Sequence, residues 1–334
     1  NLLNEWMDPR YLETLGMGDP GAEENERPAI WRFWRALPPK GRIGLFLGSW
    51  YTWPLLDRAF GRSKRAALAE RMQQNVRFER MLVDEGALVL KFWIHLSESQ
   101  QRDRLKRLQK DPKTRWRVTA RDWSHHQRYD KLCAAAEAAL TVTSTAQAPW
   151  LIVSGEDRCY RNLTVGKLIL EALRGRLAAQ TDAKPAAPVP VLSMPGIDNL
   201  RLLRSLDLTQ RLGKKDYRAA LEKAQGRLNL LTRHPRFRDT PVVAVFEGND
   251  AAGKGGAIRR ITAALDARMY QVVPIAAPTD EERARPYLWR FWRRIPRRGR
   301  ITVFDRSWYG RVLVERVEGF CPPGDWMRAY SEIN

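Results

Sequence analysis

The chain has 334 residues, 44% of them hydrophobic, enough for one to three globular domains. No apolar run reaches the ~20 residues that cross a bilayer, and the scattered Cys133, Cys159 and Cys321 fit neither a disulfide framework nor a zinc site, so reduced thiols and a cytoplasmic location are expected. A formal net charge of +20, from 58 Lys+Arg against 38 Asp+Glu, implies a polyanionic partner: nucleic acid, an acidic membrane surface or polyphosphate.

In chain order, residues 42–47 form the first buried apolar run and predict a strand. Residues 87–94 and 149–153 predict two more. Between them, residues 98–140 read as a charged helical stretch that holds Arg102, Arg104, Lys106, Arg107, Lys110, Lys113, Arg115 and Arg117. His125 and His126 lie in it and read as surface histidines. Residues 181–199 carry Pro185, Pro188, Pro190 and Pro195 among small residues and read as an extended linker. Residues 200–233 have helical apolar spacing. Residues 241–246 predict a buried parallel strand, 255–268 a helix and 300–304 a further strand. Alternating strands and helices point to a doubly wound α/β sheet.

A repeat organises these elements. The segment RPAIWRFWRALPPKGRI starting at Arg27 recurs as RPYLWRFWRRIPRRGRI starting at Arg285, an ungapped offset of 258 that continues through Ser49-Trp50-Tyr51 and Ser307-Trp308-Tyr309. The chain therefore reads as a duplicated domain: residues 1–180, the linker 181–199, and residues 200–334. Residue 1 aligns with Arg259, and Asn334 with Val76. Both copies are thus expected to be truncated, the first lacking its phosphate loop and the second its lid.

Gly248-Asn249-Asp250-Ala251-Ala252-Gly253-Lys254-Gly255, followed by Gly256, comes after a strand and opens a helix, as a Walker A loop does. Such a backbone curls its N–H groups toward an anion at a helix N-terminus. Lys254 would reach the transferred phosphate. Gly255 stands where the pattern has a Ser or Thr that binds magnesium, so another oxygen must hold the metal, and Asp250 is the candidate. Asp305 ends the second strand in the Walker B position, where a carboxylate can hold magnesium. Arg306 after it can neutralise phosphoryl charge. In the first copy these two positions are Leu47 and Gly48, which predicts an inactive copy. Trp31, Trp34, Trp289 and Trp292 read as packing residues. Arg290, Arg293, Arg294, Arg297, Arg298 and Arg300 form a run that either lines a channel for a long anion or is a solvated basic face.

These motifs resemble the polyphosphate kinase 2 family: EGNDAAGKGG from Glu247, PYLWRFW from Pro286, FDRSWYGRVLVERVEGF from Phe304, and, in the first copy, KFWIHLS from Lys91 and RWRVTARDW from Arg115. The duplicated form is similar to the two-domain, AMP-using subgroup. The resemblance implies a P-loop kinase-like (thymidylate kinase-like) fold and Mg-dependent transfer of the terminal phosphate of inorganic polyphosphate to AMP, giving ADP, in the second copy. It implies catalytic or metal-linked roles for Asp250, Lys254, Asp305 and Arg306, with Asp250 and Asp305 on the metal. Arg311 and Glu315 join the phosphate-binding set of Gly248, Asn249, Ala251, Ala252, Gly253, Gly255 and Gly256.

The expected partners are polyphosphate and AMP or ADP, with no membrane; a homo-oligomer is left open. Three alternatives remain. One is a polyphosphate-dependent ADP or GDP kinase, and another an ATP-dependent nucleotide kinase. The third is a basic nucleic-acid-binding protein with a vestigial loop, disfavoured by the intact loop residues and the lack of a nucleic-acid module.

Overall fold

The computed structural model describes residues 2–8, 10–181, 203 and 206–334. The predicted linker lies outside them but for Thr181. Residues 200–202, 204 and 205, at the start of the predicted 200–233 helices, are outside them too. Within the described part of that stretch the helix is Lys214–Arg233.

Seven strands are described: β1 (Leu12–Gly16), β2 (Ile43–Leu47), β3 (Lys91–His95), β4 (Trp150–Ser154), β5 (Val242–Phe246), β6 (Tyr270–Pro274) and β7 (Ile301–Asp305). Every pairing is parallel: β1 with β2, β3 with β4, and β5-β7-β6 with β7 in the middle. Parallel strands need crossovers, and here they are helical. The α/β class expected from the sequence is thus the class observed. β7 shows why it was legible: Ile301, Thr302, Val303 and Phe304 are all buried, as in a central strand covered on both faces.

β1 and β6 were not anticipated. Both are five residues long, mix polar with apolar positions and lack a continuous apolar run. The helix expected over 255–268 ends at Thr262. Beyond it the chain tightens through i→i+3 bonds from Ala264 N to Ile261 O and from Leu265 N to Thr262 O, and Asp266 accepts from Arg268 N. The charged stretch 98–140 is several pieces: Glu98–Lys110, a short turn Arg115–Arg117, Ala120–His126 and Tyr129–Thr143. Ser97 starts the first with a reciprocal capping box to Gln100. His125 and His126 are half-buried rather than on the surface; His125 packs edge-on against Phe60 and His126 meets Gln101 at 2.8 Å.

The duplication is visible atom by atom. β1 and β2 pair in the register Leu12↔Ile43, and β6 and β7 in the register Tyr270↔Ile301, each residue displaced by the same offset of 258. Met17 N donates to Leu47 O at 2.9 Å, and its counterpart Ile275 N donates to Asp305 O at 3.0 Å.

Packing divides the chain into two compact units, and each takes a segment from the other repeat. Unit 1 comprises Asn1–Asp19, Ala36–Lys184 and Asp280–Tyr287; unit 2 comprises Pro20–Arg35, Pro185–Thr279 and Leu288–Asn334. Unit 1 centres on Tyr51, Leu55, Leu68, Met72, Ala135 and Ala139. Unit 2 has Ile258, Leu265, Ile301 and Val303 at its centre, between the helix Lys254–Thr262 and the sheet.

Unit 2 also holds both copies of the WRFW helix, Trp31–Arg35 and Trp289–Trp292. There the equivalent residues Trp34 and Trp292 stack with ring centroids 5.6 Å apart and planes 13° from parallel. Trp31, Trp34 and Trp289 are buried, so the packing role read for these tryptophans is the observed one. None of the described helices is long and apolar enough to cross a membrane.

Candidate active site

The site is built at the carboxyl ends of β5 and β7, where open parallel sheets bind ligands. Register places Asp305 opposite Phe246, two residues before Gly248, so the last residue of the central strand stands at the mouth of the loop. Arg306 N donates to Phe246 O at 3.0 Å and ties the turn after β7 to the strand that feeds the loop.

The loop curls through Ala252 N to Asn249 O at 3.2 Å and through Gly253, whose φ of 89° caps the helix Lys254–Thr262. Lys254 is the first helical residue, and its Nζ donates to Gly248 O at 2.7 Å and Asn249 O at 2.8 Å. The ammonium is thereby folded back over the loop, beside the N–H groups that a helix start leaves without intrahelical partners. Gly255 and Gly256 make the first turn, where a side chain would otherwise stand.

Among the described residues, Ala251 and Arg306 are the non-glycine residues with positive φ, at 62° and 65°. An L-residue in this region is strained by roughly 1–3 kcal/mol, and such strain gathers at functional sites. Both lie here, one in the loop and one in the turn after Asp305. Arg306 reaches the loop: its Nη2 donates to Asp250 Oδ1 at 3.0 Å. Both partners are exposed, Arg306 at 48% and Asp250 at 91%, so the pair is weak and exchangeable.

The sequence expectation placed Asp250 and Asp305 on a metal. Their chemistry fits a hard divalent cation, which takes one or two carboxylates and completes its shell with water and substrate phosphate. Arg306 engages Oδ1 of Asp250, and a carboxylate has a second oxygen, Oδ2, with which to meet a cation. Among the described residues no cluster of three or more His, Cys, Asp or Glu could hold a metal ion by itself.

Arg311 and Glu315 lie on a wide π-type turn, Arg311–Glu315, and pair at 3.2 Å; Asp325 joins Arg311 at 3.6 Å. Asp325 was not anticipated. Nor was the contact beneath the strained turn, where buried Ser307 donates to Glu247 Oε1 at 2.7 Å. The signal for both was present: Ser307 is kept in both repeats as Ser-Trp-Tyr, and Glu247 opens the loop motif.

The basic run is divided. Arg290 is buried and donates to Ala276 O at 2.8 Å, so it is neither channel wall nor solvated face. Arg293 lies over the Trp289 ring, Arg297 pairs with Glu26, and Arg300 bonds Arg268 O. Arg294 and Arg298 remain exposed.

Comparison with known sequences decides the family. The sequence model of the family Polyphosphate kinase 2 (PPK2) matches residues 2–181 and 211–334, most of the chain. The chain belongs to the polyphosphate kinase 2 family. It is 56% identical over its whole length to the polyphosphate:AMP phosphotransferase of Pseudomonas aeruginosa and 51% identical to that of Pseudomonas syringae pv. tomato, covering 67% of each. A crystal structure from Pseudomonas aeruginosa, assigned as a polyphosphate kinase 2, superposes with a TM-score of 0.84 at 53% identity over 99% of this chain and 64% of that one. The chain thus spans about two thirds of the length of these relatives. Polyphosphate kinase 2 membership accounts for the P-loop kinase-like arrangement of β5, loop and helix in the second copy; what the first copy repeats, with altered residues, is the β6–β7 pairing as β1–β2.

Proposed function

We propose that this protein moves the terminal phosphate of inorganic polyphosphate to AMP, giving ADP, and that the second copy carries out the transfer. The observation that carries this reading is the joining of the Lys254 loop to the strained Arg306 turn, supported by the names of the full-length-matched relatives.

A phosphate oxygen of AMP attacks the terminal phosphorus of polyphosphate. The bond to the bridging oxygen breaks, and the polymer, shorter by one unit, keeps the electron pair. The attacking oxygen is already ionised, so no side chain need remove a proton from it. What remains is to hold two anions in line and neutralise charge on the moving group. The N–H groups around Gly248, Asn249, Ala251, Ala252, Gly253, Gly255 and Gly256 cradle the terminal phosphates. Lys254 and Arg306 take the equatorial oxygens; Arg306 does so by leaving Asp250. Asp250 and Asp305 are the residues that would hold Mg, which when bound supplies charge against the bridging oxygens. Arg311, oriented by Glu315 and Asp325, extends the basic surface for the second anion. The first copy keeps the fold without the transfer groups, and the three free cysteines agree with a cytoplasmic protein.

An assay of the full-length protein with polyphosphate or ATP as sole donor and AMP, ADP or GDP as acceptor tests the reading. ADP should form from AMP and polyphosphate, and Lys254→Ala should lower that rate by about 10²–10³-fold, as loss of one preorganised charge donor does. Turnover with ATP alone, an unchanged Lys254→Ala rate, or tight salt-sensitive nucleic-acid binding without transfer would contradict it.

A further inference from the structure

Unit 1 contains a cavity of about 300 Å³ that the transfer reaction does not use. It sits where an open parallel sheet binds ligands. Asp19 follows β1, and Trp53 lies on the helix Thr52–Ala59 that follows β2. Arg62 comes just after that helix, and Arg121 and His125 are on the helix Ala120–His126. In the repeat, Trp53 occupies the position of Arg311.

One wall is aromatic, Trp53 and Phe60, with guanidiniums over both rings: Arg121 at 5.5 Å from Trp53, and Arg128 at 4.4 Å and Arg62 at 5.0 Å from Phe60. Besides the rings, exposed carboxylates hold the Arg121 and Arg62 cations. Arg121 makes two bonds to Asp19 at 2.9 and 3.0 Å, and Arg62 one to Asp57 at 2.7 Å. Pairs this exposed contribute about 0–1 kcal/mol, so a phosphate dianion can displace the carboxylates and gain bidentate contacts. His125 stands edge-on to Phe60, its pKa held below the usual histidine value by burial first and by Arg121 second. A neutral ring there adds wall and hydrogen-bonding capacity without charge.

A polyphosphate chain would use the arginines and leave the aromatic wall idle; a nucleotide uses both. The volume is at the small end of ligand sites, suited to a mononucleotide. We propose that this cavity is a non-catalytic binding site for a nucleoside monophosphate, with the base on the Trp53–Phe60 wall and the phosphate on Arg62 and Arg121. Transfer is absent because Leu47 and Gly48 stand in the places of Asp305 and Arg306.

The test is titration calorimetry of AMP into the full-length protein and into Arg121→Gln, Trp53→Leu and Arg311→Gln, each checked for an unchanged melting temperature. The expected result is one class of AMP sites weakened roughly 10-fold or more by Arg121→Gln and by Trp53→Leu, yet kept in Arg311→Gln, the variant that removes the cation proposed for acceptor AMP. Its survival there separates it from the transfer site, so it stands even if AMP is not the acceptor. Adenosine should bind this site at least about 10-fold more weakly than AMP. Isotherms unchanged by both Arg121→Gln and Trp53→Leu overturn the proposal. So does displacement of AMP by tripolyphosphate with Trp53→Leu neutral, which makes the cavity a polyphosphate groove.

Discussion

The turn after β2 and the turn after β7 hold the same place in the repeat and share a backbone path. Gly48 has φ 84°, and Arg306, its counterpart, φ 65°. The residue before each differs as much: Leu47 is apolar and 65% exposed, and Asp305 is a carboxylate beside the loop. The first copy thus reaches the left-handed turn with the residue that tolerates it, and the second forces an arginine into it. Charge is used in opposite ways as well. Unit 1 buries an ion pair, Lys91 to Glu79 at 2.7 Å with side chains 5% and 2% exposed, and satisfies it with Tyr51, Trp50 and the Thr143 carbonyl. Unit 2 leaves Asp250 and Arg306 in the open. Buried charge that is fully bonded fixes a core; exposed charge on a strained turn can be given to a ligand.

Three substitutions sharpen or break this contrast. The largest expected effect is at the buried pair. Lys91→Ala strands Glu79 and leaves Tyr51 and Trp50 donating to an unpaired charge, so chemical denaturation should show a loss of about 3–5 kcal/mol. A loss below about 1 kcal/mol, as for a surface pair, would mean that the network is not structural.

Next, Arg306→Gly should separate activity from stability. Transfer from polyphosphate should fall about 10²-fold or more with the lost charge, while the melting midpoint stays level or rises as strain of roughly 1 kcal/mol is relieved. A destabilised variant with normal turnover reverses the reading of this turn.

The smallest effect is expected from Gly48→Ala. A Cβ there would sit 2.9 Å from Met17 O on a backbone of positive φ, so unfolding should show roughly 1–3 kcal/mol of lost stability. Since no transfer group is touched, the rate should not change.

Much of this was legible in the sequence. β5 and β7 announce themselves as continuous apolar runs; in β7 the run reflects burial on both faces, whereas β5 is only half-buried. The unanticipated β1 and β6 pair with β2 and β7 through backbone bonds, which short mixed sequences such as Leu12–Gly16 do not advertise. The loop was legible because its glycines and lysine answer to a fixed geometry. The strain at Arg306 was not read, yet the alignment carried its signal: a glycine in one copy opposite a non-glycine in the other marks a backbone that wants positive φ. Arg290 was misread because a basic run says nothing of which member turns inward. The exchange of Pro20–Arg35 and Asp280–Tyr287 between packing units was equally hidden, since it rests on contacts far apart in sequence.

The central claim is that transfer belongs to the second copy alone, and one paired rate measurement tests it. Asp305→Asn and Leu47→Asn alter the same position of the repeat. ADP formation from AMP and polyphosphate should fall about 10²-fold or more in Asp305→Asn and remain at the wild-type rate in Leu47→Asn. Equal losses in the two variants, or full activity in Asp305→Asn, would contradict the account.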